Sequence, residues 1–252
     1  IVSLVGSEMC IRDSGVIVND ELLHEQLIEQ VLLEENLLLK PGEYHDFCLG
    51  KSDRACLKDI LIQRGRCVNE GYLEQLIKCK TLAYQKQLES IEELPIYSNT
   101  VDFIAQVSRA ELKMAVVTGA IRTEVELVLN KANLANYFQV IVGGDNVKES
   151  KPKPDAYLLA VDILNQKCQG INLKPSECLV IEDTFPGIEA AKLAGMSVVG
   201  VAHTYPFHIL QRLANWCVDD LSDLELDRVQ KVYQEVVSVS YTHLRAHETH
   251  DD

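Results

Sequence analysis

The sequence has no apolar run of the roughly 18 residues that a membrane-spanning helix needs, although 47% of its 252 residues are hydrophobic. It is also poor in basic residues, with 24 Lys and Arg against 38 Asp and Glu and a formal net charge of −14. So acidic a surface repels nucleic acid and anionic membranes, and we exclude both as partners. A small phosphorylated metabolite stays possible if the site supplies its own positive charge.

No CxxC pair occurs among the eight cysteines. The sequence therefore predicts free thiols, buried or half-buried, in a reducing compartment. It also lacks a secretory leader, in which charged residues precede an apolar stretch and a small-residue cleavage site. We expect a cytoplasmic protein, and nothing in the sequence predicts its oligomeric state.

Both ends lack a periodicity that continues into their neighbours. Residues 1–14, which begin with Ile rather than Met, and residues 238–252 resemble translated sequencing-adapter DNA, so we leave them out of the fold prediction. In the second segment His243, His247 and His250 would share one face of a helix, as zinc ligands can. Because no apolar residues there would hold such a helix in place, we predict no metal site.

Residues 20–94 have helical spacing of apolar residues almost throughout, as in "ELLHEQLIEQVLLEENL". Within them, Asp53 is predicted to cap the helix "RACLKDILIQRG", and Gly65 to end it. From residue 95 to 237, short apolar strands alternate with helices, which indicates a parallel sheet covered on both faces. The predicted fold is therefore α/β: a three-layer parallel-sheet core (15–19 and 95–237) with an inserted all-helical cap (20–94). The chain should leave the sheet at about Asn19 and return at about Pro95, so that two linkers form a hinge and the cap can exclude water.

In such sheets the functional site lies at the carboxyl ends of the strands. The residues at these ends are Thr118, Gly119, Asp145, Glu182 and Asp183. The Thr118 hydroxyl and the backbone N–H groups from Gly119 onward would form an anion cradle before the next helix. The alternative is that Thr118 only caps that helix.

A lysine and two acids complete the predicted site. Lys151 stands in "ESKPKPDAYLL", where two prolines fix the backbone, and its ammonium would neutralise a transferring phosphoryl group. Lys153, between the prolines, should be solvated. Glu182 and Asp183 repel each other, and Mg²⁺ would offset that repulsion because it binds carboxylate oxygens and keeps several waters. The alternatives are a solvated Lys151 and an Asp183 that only caps a helix.

Three motifs follow one another along the chain: strand-Thr-Gly, then Lys-Pro-x-Pro-Asp, then strand-Glu-Asp-(six residues)-Ala-Ala-(two residues)-Ala-Gly-Met. In this order they resemble the haloacid dehalogenase superfamily over about residues 15–225. "GVIVNDELLH" and "LGKSD" resemble the "DxDGVxxDSExxH" and "GxSD" motifs of its beta-phosphoglucomutase-like phosphatase branch. The resemblance implies a Rossmann-like core and a helical cap. It also implies that His24, Lys51 and Ser52 belong to the cap's part of the site.

The resemblance further implies a Mg²⁺-dependent phosphatase that acts on a small, sugar-phosphate-like monoester. In the family the first Asp of DxDG attacks phosphorus to form an aspartyl-phosphate, and the second transfers protons. Thr118, Gly119 and Lys151 would bind the phosphoryl oxygens, with Thr118 and Lys151 also catalytic. Asp183, with Glu182 beside it, would hold Mg²⁺.

This sequence departs from the family at its nucleophile. If Gly15 aligns with the Gly of DxDG, Arg12 takes the position of the nucleophile and Ser14 that of the acid/base. Arg cannot form an acyl phosphate, so we expect the chain as written to be close to inert. Asp13 would act as a surrogate only if the strand slipped by one residue, which would turn its neighbours out of the core. Since the loss falls where the adapter-like segment ends, we interpret it as truncation damage rather than an evolved pseudoenzyme.

Three other classes of protein share part of this pattern. Hexose-phosphate mutases of the same family have an Arg after Gly-x-Ser, where this chain has Asp53, although Arg54 follows. A receiver-type signalling module would have its paired acids on the first strand and would lack a cap of about seventy residues. A non-catalytic phosphate-binding protein could keep Thr118, Lys151 and Asp183 without the nucleophile.

Overall fold

The computed structural model describes residues 8–11, 15–168, 170, 172–229 and 231. Within these residues six parallel strands form one sheet, in the order β3-β2-β1-β4-β5-β6. The strands are β1 (Glu8–Ile11), β2 (Lys113–Val117), β3 (Val140–Val142), β4 (Leu179–Glu182), β5 (Ser197–Val201) and β6 (Trp216–Val218). The predicted parallel sheet is confirmed.

Helices cover both faces of the sheet. Those of the core are α5 (Thr100–Arg109), α6 (Arg122–Lys131), α7 (Asp155–Lys167), α8 (Phe185–Leu193) and α9 (Phe207–Leu210). Side chains alternate along a strand, so Val116 joins one buried cluster with Val125 of α6, and Val117 joins the other with Tyr157 of α7. The predicted three-layer α/β architecture is therefore confirmed. None of the helices in the described ranges is long and apolar enough to cross a membrane.

The first strand lies earlier in the sequence than predicted. β1 pairs with both β2 and β4 in the middle of the sheet, so leaving residues 1–14 out of the fold was wrong for Glu8–Ile11. The segment "GVIVN", expected to end this strand, forms a turn in which Gly15 has φ +80°. Its Val16 and Ile17 are buried because the turn packs on the core. Arg12, Asp13 and Ser14 lie outside the described residues, as do His243, His247 and His250.

The cap contains four helices within the described residues: α1 (Glu21–Glu34), α2 (Glu43–Phe47), α3 (Asp53–Gln63) and α4 (Glu70–Ser90). They enclose an apolar core of their own, which includes Ile28, Leu57 and Leu73. Ser52, not Asp53, caps α3, because its Oγ accepts a hydrogen bond of 3.3 Å from the N–H of Ala55. Gly65 follows the end of α3 with φ +71°, as predicted.

Two cysteines of the cap form a disulfide, which the expectation of free thiols missed. Cys48 follows α2 and Cys56 lies in the first turn of α3; the loop between them folds back, so their Cα atoms are 4.5 Å apart. Within the described residues Cys67, Cys79 and Cys217 are free thiols.

The two segments that join cap and core lie side by side. The N–H of Asn19 donates to the carbonyl of Pro95 at 2.8 Å, and the N–H of Tyr97 donates to the carbonyl of Ile17 at 3.0 Å. Val18 and Ile96 form an isolated antiparallel bridge between them. Both connections therefore pass through one narrow, hydrogen-bonded strip.

A buried lysine joins the cap to the core. The Nζ of Lys80, on α4, is 2.9 Å from the Glu124 carboxylate of core helix α6 and 2.8 Å from the Asp53 carboxylate at the start of α3. It is also 2.8 Å from Nδ1 of His24. Burial lowers the pKa of Lys80, but the two carboxylates outweigh burial and raise it above its ordinary value. Lys80 therefore stays charged at neutral pH, and Glu124 depends on it for charge compensation.

Lys80→Met should destabilise the protein, since it leaves Glu124 and Asp53 without their buried cation. Removal of one partner from a buried ion pair costs about 3–5 kcal/mol. Urea unfolding followed by circular dichroism measures this, with Lys86→Ala, an exposed lysine on the same helix, as the control. A free energy of unfolding for Lys80→Met equal to that of the control would contradict the role of Lys80 as the cation that compensates Glu124 and Asp53.

Candidate active site

Lys151 connects the carboxyl ends of two strands. Its Nζ is 2.5 Å from Oε1 of Glu182 at the end of β4, and it donates to the carbonyl of Val117 at the end of β2 at 3.3 Å. The residue is 4% exposed, whereas Lys153 is exposed, as predicted. The alternative of a solvated Lys151 is therefore wrong. β1 lies between β2 and β4, so Lys151 contacts the strands on both sides of β1, which ends at Ile11.

Glu182 is fully buried among hydrogen-bond donors. In addition to Lys151, Oε1 accepts from the Tyr157 hydroxyl at 2.7 Å, and Oε2 accepts from the Thr184 hydroxyl at 3.1 Å. A Cβ at Gly187 would lie 2.0 Å from Cδ of Glu182, so glycine is required where α8 passes the carboxylate. These contacts fix the carboxylate, and it in turn fixes Lys151.

Asp183, also fully buried, faces the turn that follows β1. A Cβ at Gly15 would lie 2.1 Å from Oδ2 of Asp183, so only the glycine backbone fits against this carboxylate. The hydroxyl of Thr204, after β5, donates to the same oxygen. Thr184, not Asp183, occupies the N-cap position of α8, so the alternative of Asp183 as a helix cap is wrong.

Thr118 is buried at the end of β2, beside the Lys151 contact. Its Oγ1 accepts from the N–H of Ala120 at 3.1 Å, which leaves the hydroxyl proton available for an acceptor such as a phosphoryl oxygen. Thr118 does not cap α6: the cap residue is Ile121, and Asp145 accepts from the N–H of Arg122 at 2.8 Å. Asp145 thus supports the helix start that follows the predicted cradle.

The cap loop of residues 50–52 lies directly on this edge. The N–H of Ser52 donates to Oγ of Ser150 at 2.8 Å, and a Cβ at Gly119 would lie 2.0 Å from the carbonyl oxygen of Lys51. The Lys51 ammonium is 3.3 Å from Asp59. A cavity of about 30 Å³ between loop and sheet is lined by Thr118, Gly119, Lys51, Ser52 and His24, among others. That volume holds about one water molecule, so the cap loop lies against the Thr118 end of the sheet with little space between them.

The acids at the end of β4 suit a hard cation. Mg²⁺ is held in proteins by one or two carboxylates and keeps several waters. Asp183 supplies that kind of donor, with the Gly15 backbone close to its carboxylate. Both oxygens of the neighbouring Glu182 accept hydrogen bonds from Lys151, Tyr157 and Thr184. In the described part of the chain no group of three or more His, Cys, Asp or Glu side chains could hold a metal. A buried carboxylate of this kind is a ligand that Mg²⁺ accepts.

A parallel sheet with Thr118, Lys151 and paired acids at its carboxyl edge, beneath a helical cap, defines a capped, Rossmann-like α/β protein. A sequence profile of the haloacid dehalogenase-like hydrolases matches residues 14–201. The chain belongs to this family.

Among curated relatives, the chain is 29% identical over 157 residues to Protein CbbY of Rhodobacter capsulatus, covering 61% of this chain and 66% of that protein. It is 36% identical over 127 residues to fructose-1-phosphate phosphatase YqaB of Escherichia coli, covering 50% of this chain and 61% of that protein. The chain thus spans less than two thirds of the length of these relatives.

Solved structures share the fold. Beta-phosphoglucomutase from Clostridium difficile superposes with a TM-score of 0.78 at 21% identity, covering 92% of this chain and 99% of that chain. CbbY from Rhodobacter sphaeroides in complex with phosphate superposes with a TM-score of 0.74 at 21% identity, covering 89% and 97%.

Sequence reasoning missed Tyr157, Thr204 and Lys80. Tyr157 sits on the buried face of α7, where an aromatic residue indicates only packing. The partners of Thr204 and Lys80 come from distant elements, so no local spacing marks them.

Lys151→Met should abolish binding of orthophosphate, because the site loses its buried ammonium. Isothermal titration calorimetry measures the dissociation constant, and Lys153→Met, two residues away and exposed, should bind like the parent. Circular dichroism checks that the first variant is folded, since it leaves Glu182 without its cation. Equal affinity in parent and Lys151→Met would contradict the placement of Lys151 in the phosphate site.

Proposed function

We propose that this protein is the scaffold of a Mg²⁺-dependent phosphatase for a small, sugar-phosphate-like monoester in the cytoplasm. The observation that carries the proposal is the buried Lys151, held between Glu182 and the end of β2 beside the Thr118 hydroxyl. Phosphoryl transfer depends on positioning and on neutralisation of charge on the equatorial oxygens. The edge of this sheet offers both.

Each residue has a distinct role in the proposal. Thr118 and the backbone N–H of Gly119 would donate to two phosphoryl oxygens, and Lys151 would neutralise charge as it develops. Glu182 would hold Lys151 in place, and Asp183 would be the principal Mg²⁺ ligand with Glu182 beside it. Bound Mg²⁺ would supply further neutralisation of the phosphoryl charge. Closure of the cap over a bound substrate would keep bulk water away from the phosphoryl group.

Relatives named for activity on phosphorylated carbohydrates support this substrate class. One is the fructose-1-phosphate phosphatase of Escherichia coli, and another is the phosphorylated carbohydrates phosphatase of Thermotoga maritima, 35% identical over 117 residues. The acidic surface of the chain fits a small metabolite better than a polyanion.

The chain as written lacks the reacting groups. An aspartyl-phosphate needs a carboxylate at position 12 and a proton carrier at position 14, and the sequence has Arg12 and Ser14. Asp13 would serve in their place only with the strand slipped by one residue. We therefore propose that this chain binds phosphate and does not turn it over.

The mutase alternative is weaker because of Asp53. A mutase binds a second phosphate on the cap, and here the corresponding position is a carboxylate that pairs with Lys80. Arg54 is committed to Glu70. A non-catalytic phosphate-binding protein is the second candidate, favoured by Arg12 and Ser14 if they are native.

Replacing both Arg12 and Ser14 by Asp should restore hydrolysis of p-nitrophenyl phosphate that depends on Mg²⁺. General acid–base catalysis alone contributes about 10²–10⁴-fold in rate, so we expect at least a hundredfold gain over the parent. Release of nitrophenolate is the readout, and the repaired protein with Lys151→Met is the control. No gain would support the binding-protein alternative.

In the repaired protein, Asp183→Asn should weaken Mg²⁺ binding by at least about tenfold, since even residues that only support a ligand cost 10–100-fold. The Mg²⁺ concentration that gives half-maximal activity measures this, and calorimetric titration of Mg²⁺ checks it without catalysis. Asp162→Asn, the same change at an exposed residue of α7, is the control. An unchanged Mg²⁺ titration would reject Asp183 as the ligand.

A further inference from the structure

The disulfide of the cap closes the loop that lies on the sheet edge. Cys48 and Cys56 are eight residues apart in the sequence. The residues between them include Gly50, Lys51 and Ser52, whereas the proposed function uses neither sulfur. Because a cross-link limits the conformations of the loop that it closes, the bond restricts where these three residues can lie.

This loop contacts the core behind three different strands. A Cβ at Gly50 would lie 2.7 Å from Oγ1 of Thr184, after β4. The carbonyl oxygen of Lys51 packs on Gly119, after β2, where a Cβ would lie 2.0 Å from it. The N–H of Ser52 donates at 2.8 Å to a serine hydroxyl in the segment after β3. The loop that the disulfide closes therefore supplies three of the cap's contacts with the candidate active site.

The two cysteines also lie at the site themselves. Both line the narrow cavity that contains Thr118, whereas the exposed cysteines Cys67 and Cys79 do not. In the reducing compartment that the sequence predicts, a disulfide is usually transient and takes part in catalysis or in redox sensing. A bond of that kind, placed in the lining of the site, links the redox state of the cap to what the site binds.

We propose that Cys48 and Cys56 form a redox-active pair that a dithiol reductant opens, and that the site holds phosphate more weakly when the pair is reduced. The statement about phosphate rests on the proposed function. The statement about the pair and its loop does not.

The reaction is thiol–disulfide exchange. One thiolate of the reductant attacks Sγ of Cys48, which is 6% exposed against 2% for Cys56. The bond between the two cysteines breaks, and Cys56 leaves with the electron pair and takes up a proton. The second thiolate of the reductant then attacks the reductant sulfur that is bonded to Cys48, which leaves as a thiolate and takes up a proton. The protein gains two electrons and two protons, and the reductant is released as its own disulfide.

The loop reaches the proposed phosphate donors through backbone. The Lys51 carbonyl packs on Gly119, whose N–H is one of those donors, and Lys51 lines the cavity together with Thr118. A loop that is already ordered adds no ordering cost to binding, whereas a loosened loop must be ordered when phosphate binds. Orthophosphate should therefore bind the oxidised protein more tightly. Because coupling between two sites is reciprocal, orthophosphate should also favour the disulfide over the dithiol by the same factor.

Hydrogen exchange tests the pair without any phosphate. The parent oxidised with glutathione disulfide is compared with the parent reduced with dithiothreitol, and alkylation followed by mass spectrometry confirms the state of Cys48 and Cys56. The N–H groups of Lys51 and Ser52 are hydrogen-bonded, the first to the carbonyl of Cys48 at 2.9 Å. Their exchange should be at least about fivefold faster in the reduced protein, the low end of typical coupling between sites.

Two double variants are the matched controls. Cys48→Ser with Cys56→Ser should exchange like the reduced parent in either reagent. Cys67→Ser with Cys79→Ser, which removes two exposed thiols of the cap, should respond to the reagents as the parent does. Equal exchange in the two states of the parent would overturn the proposal, as would thiols at Cys48 and Cys56 that stay open to alkylation after oxidation.

Calorimetry then tests the link to phosphate. Orthophosphate should bind the reduced parent at least about fivefold more weakly than the oxidised parent. In a dithiothreitol redox buffer, saturating orthophosphate should raise the ratio of disulfide to dithiol by the factor that calorimetry gives. Equal affinity in the two states would overturn the link. If neither state binds orthophosphate, the proposed function fails, and hydrogen exchange still decides whether the pair controls the loop.

Discussion

The contact between the Lys151 ammonium and the Glu182 carboxylate determines the chemistry of the whole sheet edge. Both groups are buried, and either alone would be costly there, so each requires the other. Their contact places the ammonium against the end of β2, one residue before Thr118. It also separates the roles of two adjacent acids: Glu182 holds the lysine, while Asp183 faces Gly15. The paired carboxylates of the sequence are therefore not equivalent in the structure.

The close contact between the cap and the sheet depends on a glycine as well as on buried charges. The loop of residues 50–52 lies so close to the sheet that a side chain at Gly119 would collide with the Lys51 backbone. Lys80 then ties α3 and α4 to Glu124 of the core. A buried cation with partners in both units favours the closed arrangement, and opening the cap would expose or unpair three charged groups. Asp53 takes part in this cluster, so its acidic side chain contributes to the contact between cap and core.

Much of the fold and of the site was predictable because the relevant signals are local. Thr118, Lys151, Glu182 and Asp183 each stand at or near the end of a strand, and parallel strands bring their carboxyl ends to one edge. β1 was missed because its flanks are unlike the rest of the chain and its strand is only four residues long. Ser52 and Asp53 are neighbours of similar capping propensity, so the sequence did not distinguish them. The Cys48–Cys56 bond and the Lys80 cluster depend on how helices pack, which local spacing does not encode.

The most direct test of the account is a crystal structure of this chain grown with Mg²⁺ and orthophosphate. The account predicts one phosphate whose oxygens contact the Thr118 hydroxyl and the Lys151 ammonium, and one Mg²⁺ bound to Asp183 with oxygen ligands at about 2.0–2.1 Å. Phosphate and Mg²⁺ at separate places, with Thr118, Lys151 and Asp183 contacting no common ligand, would contradict it.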